Sequence, residues 1–533
     1  MRYPMKRRGW YTAAVCLILL TGVAARIAWI GGMPAGLNQD EASIGYEAYA
    51  LVHDGIDRNG QSWPVHLIAW GSGQNALYAY LLIPFIRLLG CTPLAVRLPM
   101  ALIGCLSLAV VWLLIRSLLP SGYGRPLALL LFAVNPWHIM KSRWGLESNL
   151  FPDLVLYAAV FLYFGIKRGK RRYAALSAVL LGLSAYAYGT SYLYIPAVIL
   201  AAFLLFLIPS VRAGSGREGK AAVLSVSPGR VLRGTVLYAL AAFVIALPIA
   251  VFVVINALDL PAVHLGRVTI PRLDFNRFTA ITSANGSFFA NCRSNLAGSF
   301  RILLHQTDGM PLNAVSGYGI YYFFSLPFIV YGLAVSLAKR RGQLFDRIAL
   351  ANLIAAGAVC AMTQPNINRI NALWLPLLYY MTVGIVSLAE DRRLFAAVIA
   401  CCYILSFAAF TRSYAGGYQE SIRRVDAEGI DRAVASLTAE DRDVYITDQI
   451  NSVYIYYLFY GKISPRTYLA EREIPEKHVM FQKVTRIGRV HFQTKTTLEK
   501  GQTAVVLDGT DVSCEGGRAE TERYGSFLVV RCR

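Results

Sequence analysis

Eleven apolar runs of about fifteen to twenty-six residues recur along the chain, and runs of that length are what a bilayer core requires of a spanning segment. Hydrocarbon offers no partner to backbone N–H and C=O groups, so such runs must close their hydrogen bonds internally as helices. The first follows the basic opening MRYPMKRRGW and reaches Ile30 without a small-residue cleavage site, which makes it a retained span and not a removed leader. The others lie near 92–117, 126–140, 150–166, 173–188, 192–209, 232–255, 320–338, 348–362, 372–388 and 394–410. The run 76–89 is short and holds Pro84 and Arg87, so it is expected to be an interfacial or re-entrant helix and not a span.

Charge sets the direction of threading. Twenty-two Lys and Arg fall in the segments assigned inside against twelve in the outer segments before Arg412, although the outer segments are longer. This alternation puts the N-terminus inside and the C-terminus outside. The same bias accounts for the net charge of +21, which in a soluble chain would point to nucleic acid and here is topological; no nucleic-acid partner is expected. With 56% hydrophobic and 16% charged residues, membrane lipid is the solvent of most of the chain.

The organisation follows. Residues 1–411 form the membrane domain, with long outer loops at 31–91 and 256–319, and residues 412–533 have the composition of a soluble domain. There DVYITD, TAVVLDG and SFLVVRC read as short strands after an amphipathic helix over 419–437, an α/β domain outside the cell. Cys514 and Cys532 can pair in that compartment or stay as two thiols; the remaining cysteines sit mostly in apolar runs and show no metal-ligand spacing.

Transporters hold ionisable groups at mid-depth, whereas Arg26, Arg97, His138 and Asp153 all fall near the outer ends of their helices. The polar clusters therefore point to chemistry at the outer interface. In the first, GLNQDEASIGYE, Asn38 is an N-cap, and Asp40 and Glu41 occupy the first helical turn. Such acids serve either the helix dipole or a reaction; Glu47, on the same face, is expected to be solvated or structural. In the second, NPWHIMKSRWGLESNLFPD, His138, Lys141, Arg143, Glu147 and Asp153 are flanked by Trp137 and Trp144, which fits either an interfacial belt or a phosphate site built on Arg143. In the third, TQPNINRINALWLP, Arg369 lies at the mouth of a late span, as a charged helix end or a phosphate ligand. No HExxH or His-x-His occurs, so no metal or other cofactor is expected, although a divalent cation stays possible.

At these residues the chain resembles the multi-spanning GT-C glycosyltransferases, in particular the family 39 group that contains protein O-mannosyltransferases and the bacterial lipid A aminoarabinose transferase. The resemblance covers roughly the first 410 residues: a first span, the outer Asp-Glu, the DGIDRNGQSWP segment, and a basic and acidic cluster before the next long span. It implies a GT-C-like fold and a polyprenyl-phosphate sugar donor, with an acceptor (protein, lipid or cell-wall glycan) left open. In such enzymes the first acid of the pair acts at the acceptor, which falls on Asp40. Glu147 stands where relatives usually carry Asp. The chemistry agrees: an acceptor hydroxyl needs a carboxylate base, and a departing lipid phosphate needs cations. The expected catalytic set is Asp40, Glu41 and Glu147, with His138, Lys141, Arg143 and Arg369 on the donor phosphate. A lipid-linked sugar flippase and a non-catalytic membrane sensor are the alternatives from other classes.

Overall fold

The computed structural model describes residues 5–214, 227–276, 287–340, 342–423, 425–437 and 442–533. Arg2, Arg217, Lys220, Arg277 and Arg341, which entered the charge assignment, lie outside them. The membrane part is helical: α1 Met5–Ile27, α2 Gln39–Asp54, α3 Leu77–Leu89, α4 Pro93–Leu118, α5 Gly124–Ala133, α6 Pro136–Arg143, α7 Glu147–Arg168, α8 Arg171–Leu183, α9 Ser191–Gly214 and α10 Pro228–Ala257. It continues with α11 Phe288–His305, α12 Leu326–Lys339, α13 Leu344–Met362, α14 Trp374–Ala389 and α15 Arg393–Ala415. Among the described residues, eight helices are long and apolar enough to cross a membrane.

Each expected span contains a helix, but three of them are shorter than expected. The run 126–140 breaks at Asn135-Pro136 into α5 and α6, because Asn135 turns its side-chain oxygen to the His138 N–H, 2.9 Å away, and caps a new helix. The run 173–188 ends as α8 at Leu183 and passes into a 3₁₀ turn, and 320–338 is helical only from Phe323. The segment 76–89 forms α3, a short apolar helix packed between α2 and α4.

The chain then enters the C-terminal domain. The expected helix over 419–437 is two short ones, α16 Gly417–Arg423 and α17 Ile430–Ser436. Between them Ala427 and Gly429 take positive φ angles of 51° and 95°, and a Cβ on Gly429 would stand 2.1 Å from the Tyr524 carbonyl, so the turn is fixed by close approach of the sheet. The three expected strands form at Val444–Ile446, Thr503–Leu507 and Phe527–Cys532. They are neighbours in a mixed seven-stranded sheet, with Val444–Ile446 parallel and Phe527–Cys532 antiparallel to Thr503–Leu507. Cys514 and Cys532 are disulfide-bonded.

One face of this domain seats on α2. The helix α18 Tyr454–Tyr460 packs against it, with Phe459 where a Cβ on Gly45 would clash, and Tyr46 Oη donates to the Ile463 carbonyl at 2.9 Å. A single buried core therefore runs from α2 through the sheet.

Candidate active site

The position of Asp40 is dictated by its neighbours. Asn38 caps α2 by accepting from the Asp40 N–H at 2.9 Å, and Glu41 returns a carboxylate oxygen to the Asn38 N–H at 3.1 Å, a reciprocal capping box. Asp40 is thereby held in the first turn, where the helix dipole favours its ionised form. Its half-buried side chain lines a cavity of about 320 Å³.

Other chain segments complete the cavity, among them Phe252 of α10 and Leu273 and Asn276 of the loop after it. The antiparallel hairpin His66–Leu67 with Gln74–Asn75 contributes His66 and Asn75. The first residue of α7 is Glu147, half-buried in the wall. The turn before α9 adds Tyr188, the start of α9 adds Tyr192, and the segment between α13 and α14 adds Asn366, Asn368 and half-buried Arg369. Asp40, Glu147 and Arg369, far apart in sequence, thus face one space.

Polar ties fix these walls to each other. Ser43, one turn after Asp40, donates to Gln74 Oε1 at 3.1 Å, and Gln74 Nε2 donates to Glu147 Oε2 at 3.1 Å, linking α2 to α7 across the hairpin. Asn371 Nδ2 donates to the Ser148 carbonyl at 2.7 Å, joining the Arg369 segment to the start of α7. Asp308 accepts from the Ile367 N–H at 2.9 Å and so holds that segment's backbone. Nothing in the sequence pattern marked Gln74, Ser43 or the asparagine wall, because each acts through hairpin pairing or loop placement.

Four expected site residues lie elsewhere. Glu41 is fully buried beneath the cavity wall, where Arg97 grips both its oxygens at 2.9 and 2.7 Å and the Gly145 N–H adds a 2.7 Å bond. Arg97 also donates to the Pro34 and Gly36 carbonyls at 2.7 and 2.8 Å. Glu41 is a structural anchor for the loop before Asp40, with no oxygen left for proton transfer. Lys141 is spent on Asp153 and on the Asn149 carbonyl at 3.2 Å. His138 accepts from Arg26 at Nδ1, 2.9 Å away; its proton therefore sits on Nε2 and is donated to Asp153 at 3.2 Å. Arg143 donates to the carbonyls of Ala25, Ala28 and Met33 at 3.0, 2.8 and 2.8 Å and to Tyr414 Oη at 3.1 Å. These side chains bolt α1, α6 and α7 together and do not reach the cavity.

The physical reason is that every residue of α6 is buried, so what resembles an interfacial belt in sequence is a wedge inside the bundle. Of the two roles expected for Glu47, solvated or structural, the structure shows the structural one. It is buried and paired with Arg58 Nε at 3.0 Å, and Arg58 in turn lies over the Trp70 ring. Among the described residues no three His, Cys, Asp or Glu side chains cluster in a way that would hold a metal ion.

Residues 74–215 match the family model described as dolichyl-phosphate-mannose-protein mannosyltransferase. No curated protein matches the chain. Two solved structures align over 98% of this chain and 98% of theirs: ArnT from Cupriavidus metallidurans bound to undecaprenyl phosphate, at 14% identity and a TM-score of 0.59, and the same protein in the apo state, at 13% identity and a TM-score of 0.52. The match to ArnT extends through the C-terminal domain, since nearly the whole of both chains is covered. The chain is a multi-spanning helical membrane protein with the GT-C-like fold that it shares with ArnT, and its residues 74–215 match the mannosyltransferase family model.

Proposed function

We propose that the chain is an inverting glycosyltransferase that moves a sugar from a polyprenyl-phosphate donor to a hydroxyl acceptor at the outer face of the cell membrane. The observation that carries this reading is the convergence of Asp40, Glu147 and Arg369 on one cavity at the ends of the membrane helices. ArnT, whose fold the chain shares, was solved with a lipid phosphate bound, and the family match concerns donors of that chemistry.

The acceptor hydroxyl attacks the anomeric carbon while Asp40 takes its proton. The bond from that carbon to the phosphate oxygen breaks, and its electron pair leaves with the polyprenyl phosphate, whose charge Arg369 neutralises. One displacement inverts the anomeric centre and leaves no sugar on the protein. Glu147, oriented by Gln74, is the second carboxylate and holds acceptor or sugar hydroxyls. The asparagine and tyrosine lining suits the hydroxyls of a sugar, each amide offering both donor and acceptor atoms.

Arg369 supplies the test. In assays with purified protein and polyprenyl-phosphate sugars, Arg369→Gln should lower kcat/KM for the donor about a hundredfold, as expected when one stabiliser of developing charge is removed. Unchanged donor kinetics would remove the arginine from the phosphate.

A further inference from the structure

The membrane helices frame another, half-open cavity, of about 310 Å³, between α7, α8, α9, α10 and α13. Its walls are mostly apolar, with Leu162, Leu181, Ile199 and Phe206 among them, which suits a hydrocarbon chain. Along α7 the lining extends to Ile166, whereas Glu147 at the start of the same helix lines the reaction cavity. At the rise of an α-helix the two residues stand about 28 Å apart, close to the hydrocarbon thickness of a bilayer. The far end of this cavity therefore lies at the membrane face opposite the reaction.

That end is built for an anion. Arg230, in the first turn of α10, and Arg347, just inside α13, both line it, so two guanidinium groups and the positive ends of two long helices meet there. The Arg347 guanidinium lies over the Phe206 ring, 5.9 Å from its centroid. Asp346 takes hydrogen bonds from Ser336 Oγ at 2.7 Å, Arg340 Nε at 3.2 Å and Tyr379 Oη at 3.0 Å, on the α12 side. Thr235, Tyr238 and Asn352 are the other polar side chains of the lining.

We propose that this cavity is a binding site for an anionic phospholipid of the leaflet opposite the reaction cavity, with one acyl chain between α7 and α10 and the phosphate at Arg230 and Arg347. A zwitterionic lipid offers the same chain but not the net charge. A polyprenyl-phosphate donor must present its phosphate at the Arg369 side and is not the occupant. Each cation near the bilayer surface contributes on the order of 1 kcal/mol to anionic lipid binding, so the pair corresponds to about thirtyfold in affinity.

The test is lipid binding to the full chain purified in detergent, read by native mass spectrometry with phosphatidylglycerol, phosphatidylcholine and a polyprenyl phosphate. Wild type should retain phosphatidylglycerol in preference to phosphatidylcholine, and Arg230→Gln with Arg347→Gln should lose that preference by about thirtyfold. Gly234→Phe offers an independent arm. A Cβ there meets nothing within 4 Å, so the position admits a side chain, and a ring at this lining residue should expel the lipid while leaving both arginines in place. Equal retention of the two phospholipids, phosphatidylglycerol binding indifferent to both variants, or a preference for the polyprenyl phosphate abolished by those variants would each overturn the proposal.

Discussion

At the residue scale, the ionisable side chains divide by whether they line the cavity or tie the helices to one another. Glu41, Lys141, His138 and Arg143 have their polar atoms occupied by partners within the fold, whereas Asp40, Glu147 and Arg369 line the cavity. Removing a member of the first group should therefore appear in stability before it appears in chemistry. Arg97→Ala would leave Glu41 buried without its counter-charge, a loss of about 3–5 kcal/mol, measurable as a fall in unfolding temperature in detergent. Arg143→Ala should likewise lower the unfolding temperature and leave the KM for donor in the surviving folded protein close to wild type. A raised donor KM at unchanged stability would return Arg143 to the phosphate.

Asp426 gives a pH-dependent counterpart outside the membrane. Burial, reinforced by the neighbouring charge of Glu41 and only partly offset by Arg97, pushes its carboxyl up to about 8. The folded state thus holds a proton that the unfolded chain releases near 3.8, and stability declines as pH rises from that value to about 8. Asp426→Asn keeps the shape without the titration. Its unfolding temperature should match wild type near pH 4 and exceed it at pH 8 to 9; parallel curves over that range would contradict the assignment.

At the scale of elements, the sequence is informative where a local rule decides the outcome. The apolar runs locate the spans, the Asn38 and Glu41 pair locates the start of α2, and alternating apolar residues locate the three central strands. It misleads where tertiary surroundings decide. The segment around Lys141 and Arg143 has the composition of an interfacial belt, yet α6 is buried on all sides, and the helix expected over 419–437 yields to the turn that brings Gly429 against the sheet. Gln74 was illegible for a related reason: its value lies in reaching Ser43 and Glu147 at once, which only the hairpin register creates.

The loop before α2 shows how the C-terminal elements serve Asp40. Gln419 accepts from the Ala35 N–H at 2.7 Å and donates to the Tyr414 carbonyl at 2.8 Å, and the Leu37 N–H donates to the Asp426 carbonyl at 2.8 Å. Gly36 lies between these clamps, where a Cβ would stand 2.0 Å from that carbonyl. If the clamp positions Asp40, Gln419→Ala should reduce kcat about tenfold or more with little change in donor KM, as misplacement of a reacting group does. An altered donor KM at normal kcat would assign Gln419 to substrate binding.

At the scale of the whole molecule, membrane bundle and C-terminal sheet share one buried core, and the disulfide between Cys514 and Cys532 lies in the part expected outside the cell. Reporter fusions at Gly169 and Gly417 should report the cytoplasm and the exterior respectively; the same side for both would reject the topology. The central claim is that the cavity performs sugar transfer with Asp40 as its base. Asp40→Asn keeps side-chain size and capping capacity while removing basicity, so it separates chemistry from folding. The decisive measurement is sugar transfer from polyprenyl-phosphate donors by this variant, alongside its unfolding temperature. A stably folded protein with transfer reduced roughly a hundredfold or more is the predicted result, and near-normal transfer by Asp40→Asn would contradict it.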